Sequence, residues 1–513
     1  MNKKKEIVSA WGAVPEGVSG RRVVVEAHAR AGARSFDLVG LPGRMVREAV
    51  DRVQAAVTNS LPGLVSFDRH WVINLAPAGV DKRSTGLDLP LAVALLLRGS
   101  NGKFPRTLLE GWGFVGELSL DGRVRPVAGV LPSVLALKEA GATQILVAEE
   151  NGEEGALVEG VKVFGVRSLR HALSLLETPA DPLPLTTVGV EGETPIVDFR
   201  DIAGQILARR AVEVAASGGH HILMMGPPGS GKTLLARAIP GLVPPLERSE
   251  VLEATAIHSV VGRIQAGGVV VRRPFVSPHH TTSPAGLVGG GSRPSPGAVS
   301  LAHLGVLFLD EIPHFQKGSL EALREPLEEG WVTVTRAAGS VRFPAGFQLV
   351  AAMNPCPCGH WGDPETACRC IPAEVTKYRK RISGPIMDRI DLVVEMARVP
   401  YRDLRVDAPA REGSQAVARR VTAARTLQSQ RYTNEAWRTN GGLPGCALDK
   451  HAPVKGEADR LLGLAAERYK LSARAVARVR RVARTIADME GASTIEAPHI
   501  AEALQYRLRP PTC

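Results

Sequence analysis

At residues 226–233 the chain reads Gly226-Pro227-Pro228-Gly229-Ser230-Gly231-Lys232-Thr233, which fits the phosphate-binding pattern G-x-x-x-x-G-K-[ST]. Glycines let successive backbone N–H groups turn toward an anionic phosphate. Lys232 adds a positive charge for the β- and γ-phosphates of a nucleotide, and the Thr233 hydroxyl can ligate Mg²⁺. A plain glycine-rich turn is the alternative. We favour the phosphate loop, because residues 221–225 predict a strand before it and residues 233–239 predict a helix after it.

Two acidic residues follow a second apolar stretch, residues 306–309, which predicts a buried strand. We expect Asp310 to hold the Mg²⁺ shell and Glu311 to polarise the attacking water, since phosphoryl transfer depends on positioning. A third apolar stretch, residues 347–353, ends at Asn354, whose amide can bond the γ-phosphate and orient water. Solvated turns are the alternative at both places. If these stretches and the strand before the phosphate loop belong to one parallel sheet, their ends lie together, and Asp310, Glu311 and Asn354 form a catalytic set with the loop.

Two arginines complete the predicted catalytic residues. Arg389 stands just before an apolar stretch and is the predicted arginine finger, supplied to the ATP of a neighbouring subunit. Arg474 opens a helical pattern near the C-terminus and is predicted to touch the γ-phosphate from a lid. The alternative for each is an ordinary salt bridge, for instance between Arg389 and Asp391.

The chain resembles the bacterial ComM/YifB family of magnesium-chelatase-like AAA+ ATPases. The resemblance covers nearly the whole chain, and its most specific part is Asn354-Pro355-Cys356-Pro357-Cys358-Gly359. Four further segments match the family: residues 277–283, 289–291, 302–311 and 483–488. The resemblance implies a ring, a homo-hexamer, that binds ATP and Mg²⁺ and hydrolyses ATP. It also implies a helicase that promotes branch migration of DNA in homologous recombination and natural transformation.

We expect an α/β protein built around an AAA+ P-loop core. The predicted parts are an α+β N-terminal domain, a Pro-rich linker, the nucleotide-binding core and an Arg-rich helical lid, at residues 1–178, 179–197, 198–400 and 401–513. The stretch 116–130 is similar to the S5-like proteolytic domain of Lon. Lon-type hydrolysis needs a serine activated by a lysine. Gly86 and Leu131 stand at those places, so we expect a non-catalytic relative.

The net charge of +11 is unevenly distributed. Between Val375 and Cys513 there are 26 Lys and Arg residues and 15 Asp and Glu residues, whereas the rest of the chain has 37 of each. Such asymmetry indicates a polyanionic partner, here single- or double-stranded or branched DNA bound without sequence preference. Arginines on solvated helices are the alternative. Aromatic residues are few, at 4%, so a base-stacking platform has little support.

The longest apolar stretch, residues 89–97, is too short to span a membrane and predicts a buried helix. The basic residues 3–5 are followed by no apolar signal-peptide core, so we expect a cytoplasmic protein.

Residues 331–344 predict a β-hairpin. In related rings this hairpin points into the pore, where Arg336 and Arg342 would face DNA phosphates; a plain surface hairpin is the alternative. An insert rich in Gly, Pro, Ser and His covers residues 271–296 and contains His279 and His280. This histidine pair fits loop structure better than a metal site.

Four cysteines lie within fifteen residues, at Cys356, Cys358, Cys368 and Cys370. In a cytoplasmic protein such a quartet suggests a structural Zn²⁺ site. The Cys-x-Cys spacing departs from the usual Cys-x-x-Cys. Free thiols or a redox pair are therefore alternatives.

The sequence thus predicts an ATP-driven motor acting on DNA. Two other classes stay open: a magnesium-chelatase-type ATPase that remodels a protein partner, and a structural ring. The Lon-like segment and the cysteine quartet favour the DNA motor over the chelatase.

Overall fold

The computed structural model describes residues 7–40, 44–78, 84–100, 103–178, 180–186, 197–264, 268–291, 294–336, 339–363, 366–400 and 411–507. The chain divides into two compact units. The first comprises Met1–Gly189, Glu247–Val271 and Gly339–Phe343; the second comprises Val190–Leu246, Arg272–Ala338 and Pro344–Cys513. Two segments from the middle of the chain therefore group with the first unit. Parts of the predicted linker and lid, at 187–196 and 401–410, lie outside the described residues.

The first unit is built on a seven-stranded sheet in the order β3-β4-β2-β1-β5-β8-β9. Its strands are β1 (Val8–Glu16), β2 (Ser19–Arg30), β3 (Ser35–Val39), β4 (His70–Ala76), β5 (Trp112–Val115), β8 (Gln144–Ala148) and β9 (Lys162–Val166). The short strands β6 (Glu117–Leu118) and β7 (Val124–Arg125) pair separately. Strand β2 pairs antiparallel with β1 and β4, whereas the other pairs in the sheet are parallel. In β2 the buried residues Val23, Val25 and Ala27 alternate with more exposed ones, as a strand with one buried face requires.

The helices of the first unit, among its described residues, are α1 (Arg44–Ser60), α2 (Asp88–Gly99), α3 (Val130–Glu139), α4 (Gly152–Gly155), α5 (Leu169–Glu177) and α8 (Arg248–Val260). Helix α2 is buried on all sides from Leu89 to Leu97, which confirms the predicted buried helix. Leu131 is fully buried in α3. Helix α8 is bound to α4 through Glu154, whose carboxylate accepts a hydrogen bond from the Ser259 hydroxyl.

The second unit contains a five-stranded parallel sheet in the order β11-β14-β17-β10-β18. Its strands are β10 (Ile222–Met225), β11 (Phe275–Val276), β14 (Val306–Leu309), β17 (Gln348–Met353) and β18 (Leu392–Glu395). Every residue of β10, β14 and β17 is buried. Continuous apolar strands are typical of parallel sheets covered on both faces. Because all five strands run in one direction, their carboxyl ends meet at the same edge.

Helices α6 (Ile206–Gly218) and α7 (Lys232–Leu242) share a buried core with this sheet and with the C-terminal helices. The C-terminal helices are α15 (Ser414–Arg431), α16 (Leu448–His451), α17 (Gly456–Tyr469), α18 (Ala473–Met489) and α19 (Ala497–Gln505). Shorter helices lie between α7 and α15 in the chain: α9 (Pro284–Val288), α10 (Ala298–Leu301), α11 (Lys317–Glu321), α12 (Arg324–Glu329), α13 (Pro372–Arg379) and α14 (Gly384–Met387). Two small sheets pair β12 (Gly289–Gly290) with β13 (Ser295–Pro296), and β15 (Trp331–Arg336) with β16 (Gly339–Pro344).

A buried polar network joins α18 to the parallel sheet. His220, just before β10, bonds the Asp391 carboxylate at 3.2 Å and the Thr485 hydroxyl at 2.7 Å. Thr485 accepts from Asn440, which also donates to Asp488. Because buried polar groups need partners, this network specifies how α18 packs on the sheet.

Within the described part of the chain, no helix has both the length and the apolar character needed to cross a membrane.

Candidate active site

The phosphate loop connects β10 to α7, as predicted. Gly229 and Gly231 have φ angles of 76° and 91°, in the left-handed region that favours glycine. At Gly226 a side chain is excluded, because a Cβ atom would lie 2.6 Å from the Met396 carbonyl oxygen. The glycines of the motif therefore permit both the turn and the close packing of the loop.

Lys232 is buried at the first position of α7. Its Nζ donates to the carbonyl oxygens of Gly226 and Pro227 at 2.7 and 2.9 Å. Burial lowers the pKa of Lys232, and the charges of Asp310 and Glu311 partly offset this. The ammonium group is thus held by its own loop at a helix N-terminus, where an anionic phosphate is favoured.

The two predicted carboxylates follow β14. Thr233 Oγ1 donates to Asp310 Oδ2 at 3.3 Å, so the hydroxyl and the carboxylate predicted to hold Mg²⁺ are adjacent. Oxygen ligands of this kind suit Mg²⁺. Glu311 is exposed and has a φ angle of 50°, a conformation that costs a residue with a side chain about 1–3 kcal/mol. Its backbone N–H donates to Asp310 Oδ1 at 2.9 Å.

Asn354 joins this group from the end of β17, the strand between β14 and β10. Its Oδ1 lies 3.4 Å from Lys232 Nζ. The structure therefore brings together Lys232, Thr233, Asp310 and Asn354, which are separated by up to 122 residues in the chain.

Gln205 is a site residue that sequence reasoning missed. Its Nε2 donates to the carbonyl oxygens of Ser230, in the phosphate loop, and Ala397 at 3.1 and 2.6 Å. Its φ angle of 54° is unusual for a residue with a side chain. The Gly204-Gln205 pair before a helix was the available signal, but only the fold shows that this amide reaches the loop.

Arg389 and Arg474 belong to a second cluster. Arg389 Nη1 donates to the Pro385 carbonyl oxygen at 2.6 Å, and its guanidinium forms an ion pair with Glu328. The alternative, an ordinary salt bridge, is therefore present for Arg389, but its partner is Glu328 and not Asp391, whose carboxylate binds His220. Burial lowers the pKa of Arg389. Three arginines nearby lower it further: Arg324, Arg474 and Arg478.

This arginine cluster carries unsatisfied donors among the described residues. Arg389 Nε, Arg478 Nε and Arg478 Nη1 are buried without a hydrogen-bond partner. Buried guanidinium groups of like charge are costly unless an anion neutralises them. The charges that act on Lys232 are those of Asp310 and Glu311, whereas those that act on Arg389 come mainly from other arginines.

Arg336 and Arg342 are both exposed on the hairpin strands β15 and β16. Arg336 donates to the carbonyl oxygens of Gly291 and Thr335 at 3.1 and 2.8 Å. Residues 337–338 of the predicted hairpin lie outside the described residues. The predicted DNA contacts of both arginines stay predictions.

Three of the C-terminal arginines, Arg420, Arg431 and Arg484, have structural partners within the second unit. Arg484, which is 2% exposed, and Arg431 both bind the buried Asp488. Arg420 pairs with Glu213 and Glu412. These three arginines therefore have structural roles within the fold, but their ion pairs do not account for the net positive charge.

The four predicted zinc ligands lie together. The Sγ atoms of Cys356, Cys358 and Cys368 are 3.4–3.6 Å apart, and all four sulfurs, including that of Cys370, lie within 4.8 Å of one another. A tetrahedral site with Zn–S bonds of about 2.3 Å places its sulfurs about 3.8 Å apart. A disulfide would require about 2.05 Å. The donor set fits Zn²⁺.

Known proteins match nearly the whole chain. Family profiles described as "Magnesium chelatase, subunit ChlI", "Subunit ChlI of Mg-chelatase" and "Magnesium chelatase, subunit ChlI C-terminal" match residues 198–404, 25–151 and 411–507. The protein YifB of Salmonella typhimurium is 40% identical over 492 residues, covering 96% of this chain and 95% of YifB. Competence protein ComM of Haemophilus influenzae is 38% identical over 498 residues, covering 96% of this chain and 95% of ComM.

A shorter match connects the chain with Lon protease of Salinispora arenicola, 27% identical over 185 residues, which are 34% of this chain and 23% of Lon. Together with the phosphate loop and its carboxylates, the full-length matches confirm the predicted kinship. The chain is an ATPase of the AAA+ class and belongs to the ComM/YifB family of magnesium-chelatase-like proteins.

Proposed function

We propose that this protein is an ATP-driven ring, a homo-hexamer, that moves DNA strands in branch migration. The observation that carries the motor part is the separation of the ATPase residues into two sets. One set, around Lys232 and Asp310, is suited to bind Mg²⁺–ATP. The other, around Arg389, has buried guanidinium donors of Arg389 and Arg478 without partners, and the exposed Arg474 adds its charge nearby.

The nucleotide-binding residues of one copy of the chain and the arginine cluster of a neighbouring copy could together form one complete ATPase site. Glu328 and Asp388 already pair with Arg389 and Arg478, and a γ-phosphate bound by one subunit would accept from the remaining donors of the next, with Arg389 as the finger and Arg474 beside it. Only a ring or a filament lets every subunit both bind ATP and supply arginines. In each site Glu311 would polarise the attacking water and Asn354 would orient it, while the metal ion would offset charge on the phosphates.

DNA as the partner is supported by the chain's charge and by its relatives. The net charge is +11, and Arg336 and Arg342 are exposed on one hairpin. ComM, the relative that covers almost the whole chain, carries the name of a competence protein. We accordingly place this protein in natural transformation, in the cytoplasm, with the helical C-terminal segment as the lid and the first unit as a non-catalytic Lon-like domain.

The second candidate function is a magnesium-chelatase-type motor that remodels a protein partner, and three ChlI profiles favour it. ATPase rates with and without a four-way DNA junction distinguish the two. The DNA motor requires stimulation by the junction and ATP-dependent migration of its branch point. Rings that hydrolyse ATP but neither bind the junction at low salt nor respond to it would support the chelatase-type motor instead.

Zn²⁺ is the third proposed cofactor, beside ATP and Mg²⁺. Four thiolates would hold it in a closed tetrahedral site, which is the arrangement of structural rather than catalytic zinc.

A further inference from the structure

The cysteine quartet and the phosphate loop are next to each other in the second unit. We infer that zinc held by Cys356, Cys358, Cys368 and Cys370 sets the shape of the phosphate loop and the position of Asn354, so that metal occupancy controls ATP binding and hydrolysis. The inference rests on the proposed ATPase function and adds a means of regulating that site.

The first link runs along the chain. Asn354, whose Oδ1 lies 3.4 Å from Lys232 Nζ, is separated from Cys356 by a single residue. The residue before it, Met353, accepts a hydrogen bond from the backbone N–H of Gly226 at 3.1 Å. The end of β17 is therefore bonded to the start of the phosphate loop just before the chain reaches its first zinc ligand.

The second link is a packing contact. Gly359 follows Cys358 directly and closes a turn in which its N–H donates to the Cys356 carbonyl oxygen at 3.0 Å. A Cβ atom at Gly359 would lie 2.8 Å from Cδ and 3.2 Å from Cγ of Pro228. Pro228 is part of the phosphate loop, so the turn between two zinc ligands presses against the loop that would hold the nucleotide.

The third link connects the quartet to a helix. Helix α13 begins at Pro372, two residues after Cys370. Arg379, in its last turn, donates from Nε to the Pro355 carbonyl oxygen at 3.1 Å. Pro355 stands between Asn354 and Cys356. Helix α13 thus holds the Pro355 peptide, between Asn354 and Cys356. Zinc bound by Cys370 would in turn fix the start of α13.

These links give zinc a mechanical role. Four thiolates repel one another without a cation, and four protonated thiols lack the bonds that hold two Cys-x-Cys turns together. Loss of the metal would release the turn at Gly359 from Pro228. It would also free Asn354 to move relative to Lys232.

Zinc removal tests the inference directly. The full-length protein, purified under reducing conditions, is treated with a thiol-modifying mercurial and a zinc-binding dye, and the mercurial is then removed by exchange onto excess dithiol in the presence of Mg²⁺. We expect about one released zinc per chain, at least tenfold weaker binding of a fluorescent ATP analogue, and recovery when Zn²⁺ alone is returned. Protein that carries no zinc, or metal-free protein that binds and hydrolyses ATP like the untreated protein, would overturn the inference.

A matched pair of glycine substitutions separates contact from general damage. Gly359 and Gly362 both have positive φ angles, 86° and 79°, in the same loop, but a Cβ atom at Gly362 meets nothing within 4 Å. Gly359→Ala should keep its zinc yet lose at least fivefold in ATP affinity or turnover, while Gly362→Ala, with comparable backbone strain, should match the wild type. Equal behaviour of the two variants would contradict the role of the contact with Pro228.

The measurements also distinguish this inference from the proposed function. Basal ATPase activity is measured without DNA, and zinc content is measured independently of activity. If the wild type binds ATP but fails to move DNA, the proposed function fails while the effect of zinc on ATP binding is still measured. If the wild type moves DNA equally well with and without zinc, the present inference fails alone.

Discussion

Lys232 and Glu311 illustrate, at the scale of single residues, two different contributions to one site. The Lys232 ammonium lies at the centre of the phosphate loop, whereas the Glu311 carboxylate is exposed at the neighbouring strand end. Lys232→Ala should abolish ATP binding, because it removes a contact with the ground-state phosphates. Glu311→Gln should retain binding and lose turnover, because only water activation is removed. Nucleotide-binding fluorescence and phosphate release measure the two effects.

The matched control is Arg237→Ala, which removes an exposed cation from the same helix. It should leave both measurements near the wild type. Normal hydrolysis by Glu311→Gln would remove that residue from its proposed role.

Arg389 is predicted to act on the ATP of a neighbouring subunit. Arg389→Ala should lower the ATPase rate by about 10³-fold or more, the range found for arginine fingers, while ATP binding changes little. Arg419→Ala, at an exposed position in the C-terminal quarter, serves as the control. Mixing Arg389→Ala with Lys232→Ala protein should restore part of the activity, since mixed rings contain interfaces with one intact loop and one intact finger. Mixed rings of confirmed assembly without any recovery would speak against a shared site.

At the scale of secondary-structure elements, the His220–Asp391 pair holds α18 to the edge of β10 and β18. Burial raises the pKa of Asp391, but the hydrogen bond from His220 and the charges of His220 and Arg481 outweigh it, so the pKa is lowered overall. A carboxyl group whose pKa is lowered on folding stabilises the fold at pH values above its pKa in the unfolded chain. This stabilisation is lost as the pH falls through the pKa of the group in the folded protein.

Asp391→Asn should therefore reduce the free energy of unfolding by about 1–3 kcal/mol at pH 7, the usual effect on a buried, charged hydrogen bond. The difference from wild type should shrink once the pH falls below the ordinary Asp value of 3.8. Urea unfolding at pH 7 and at several values below pH 4 measures this. A difference that stays constant over that range would assign the loss to packing rather than to charge.

At the scale of the whole molecule, the two hairpin arginines test the proposed contact with DNA. If the hairpin arginines meet phosphates, binding should be insensitive to sequence and should weaken steeply with salt through counterion release. Replacing Arg336 and Arg342 together with Ala should reduce the slope of log affinity against log salt by roughly two. It should also uncouple ATP hydrolysis from strand movement, as followed with a fluorescent four-way junction.

Arg419→Ala again provides a control for general loss of positive charge. An unchanged salt slope in the hairpin double variant would place the DNA elsewhere on the ring. Because Arg420, Arg431 and Arg484 are bound to acidic residues within the fold, the hairpin is a more direct test of DNA contact than the C-terminal charge excess.

Features that arise from neighbouring residues could be predicted from the amino-acid sequence. The phosphate loop is a strand, a glycine turn and a helix within about twenty residues, and each is specified by local periodicity and by glycine's access to positive φ. The buried helix α2 and the ends of β14 and β17 follow from unbroken apolar stretches in the same way. Full-length family membership was also readable, because its motifs are contiguous strings.

Contacts between groups far apart in the chain could not be predicted and are known from the fold. The strand order β14-β17-β10 places Asn354 beside Lys232, and Gln205 contacts the phosphate loop. Arg389 pairs with Glu328 rather than with Asp391. Gly359 packs against Pro228. The fold also assigns Glu247–Val271 to the first unit and uses C-terminal arginines for internal ion pairs. Each of these depends on packing between segments far apart in sequence, where many partners of equal chemistry are available and burial selects one.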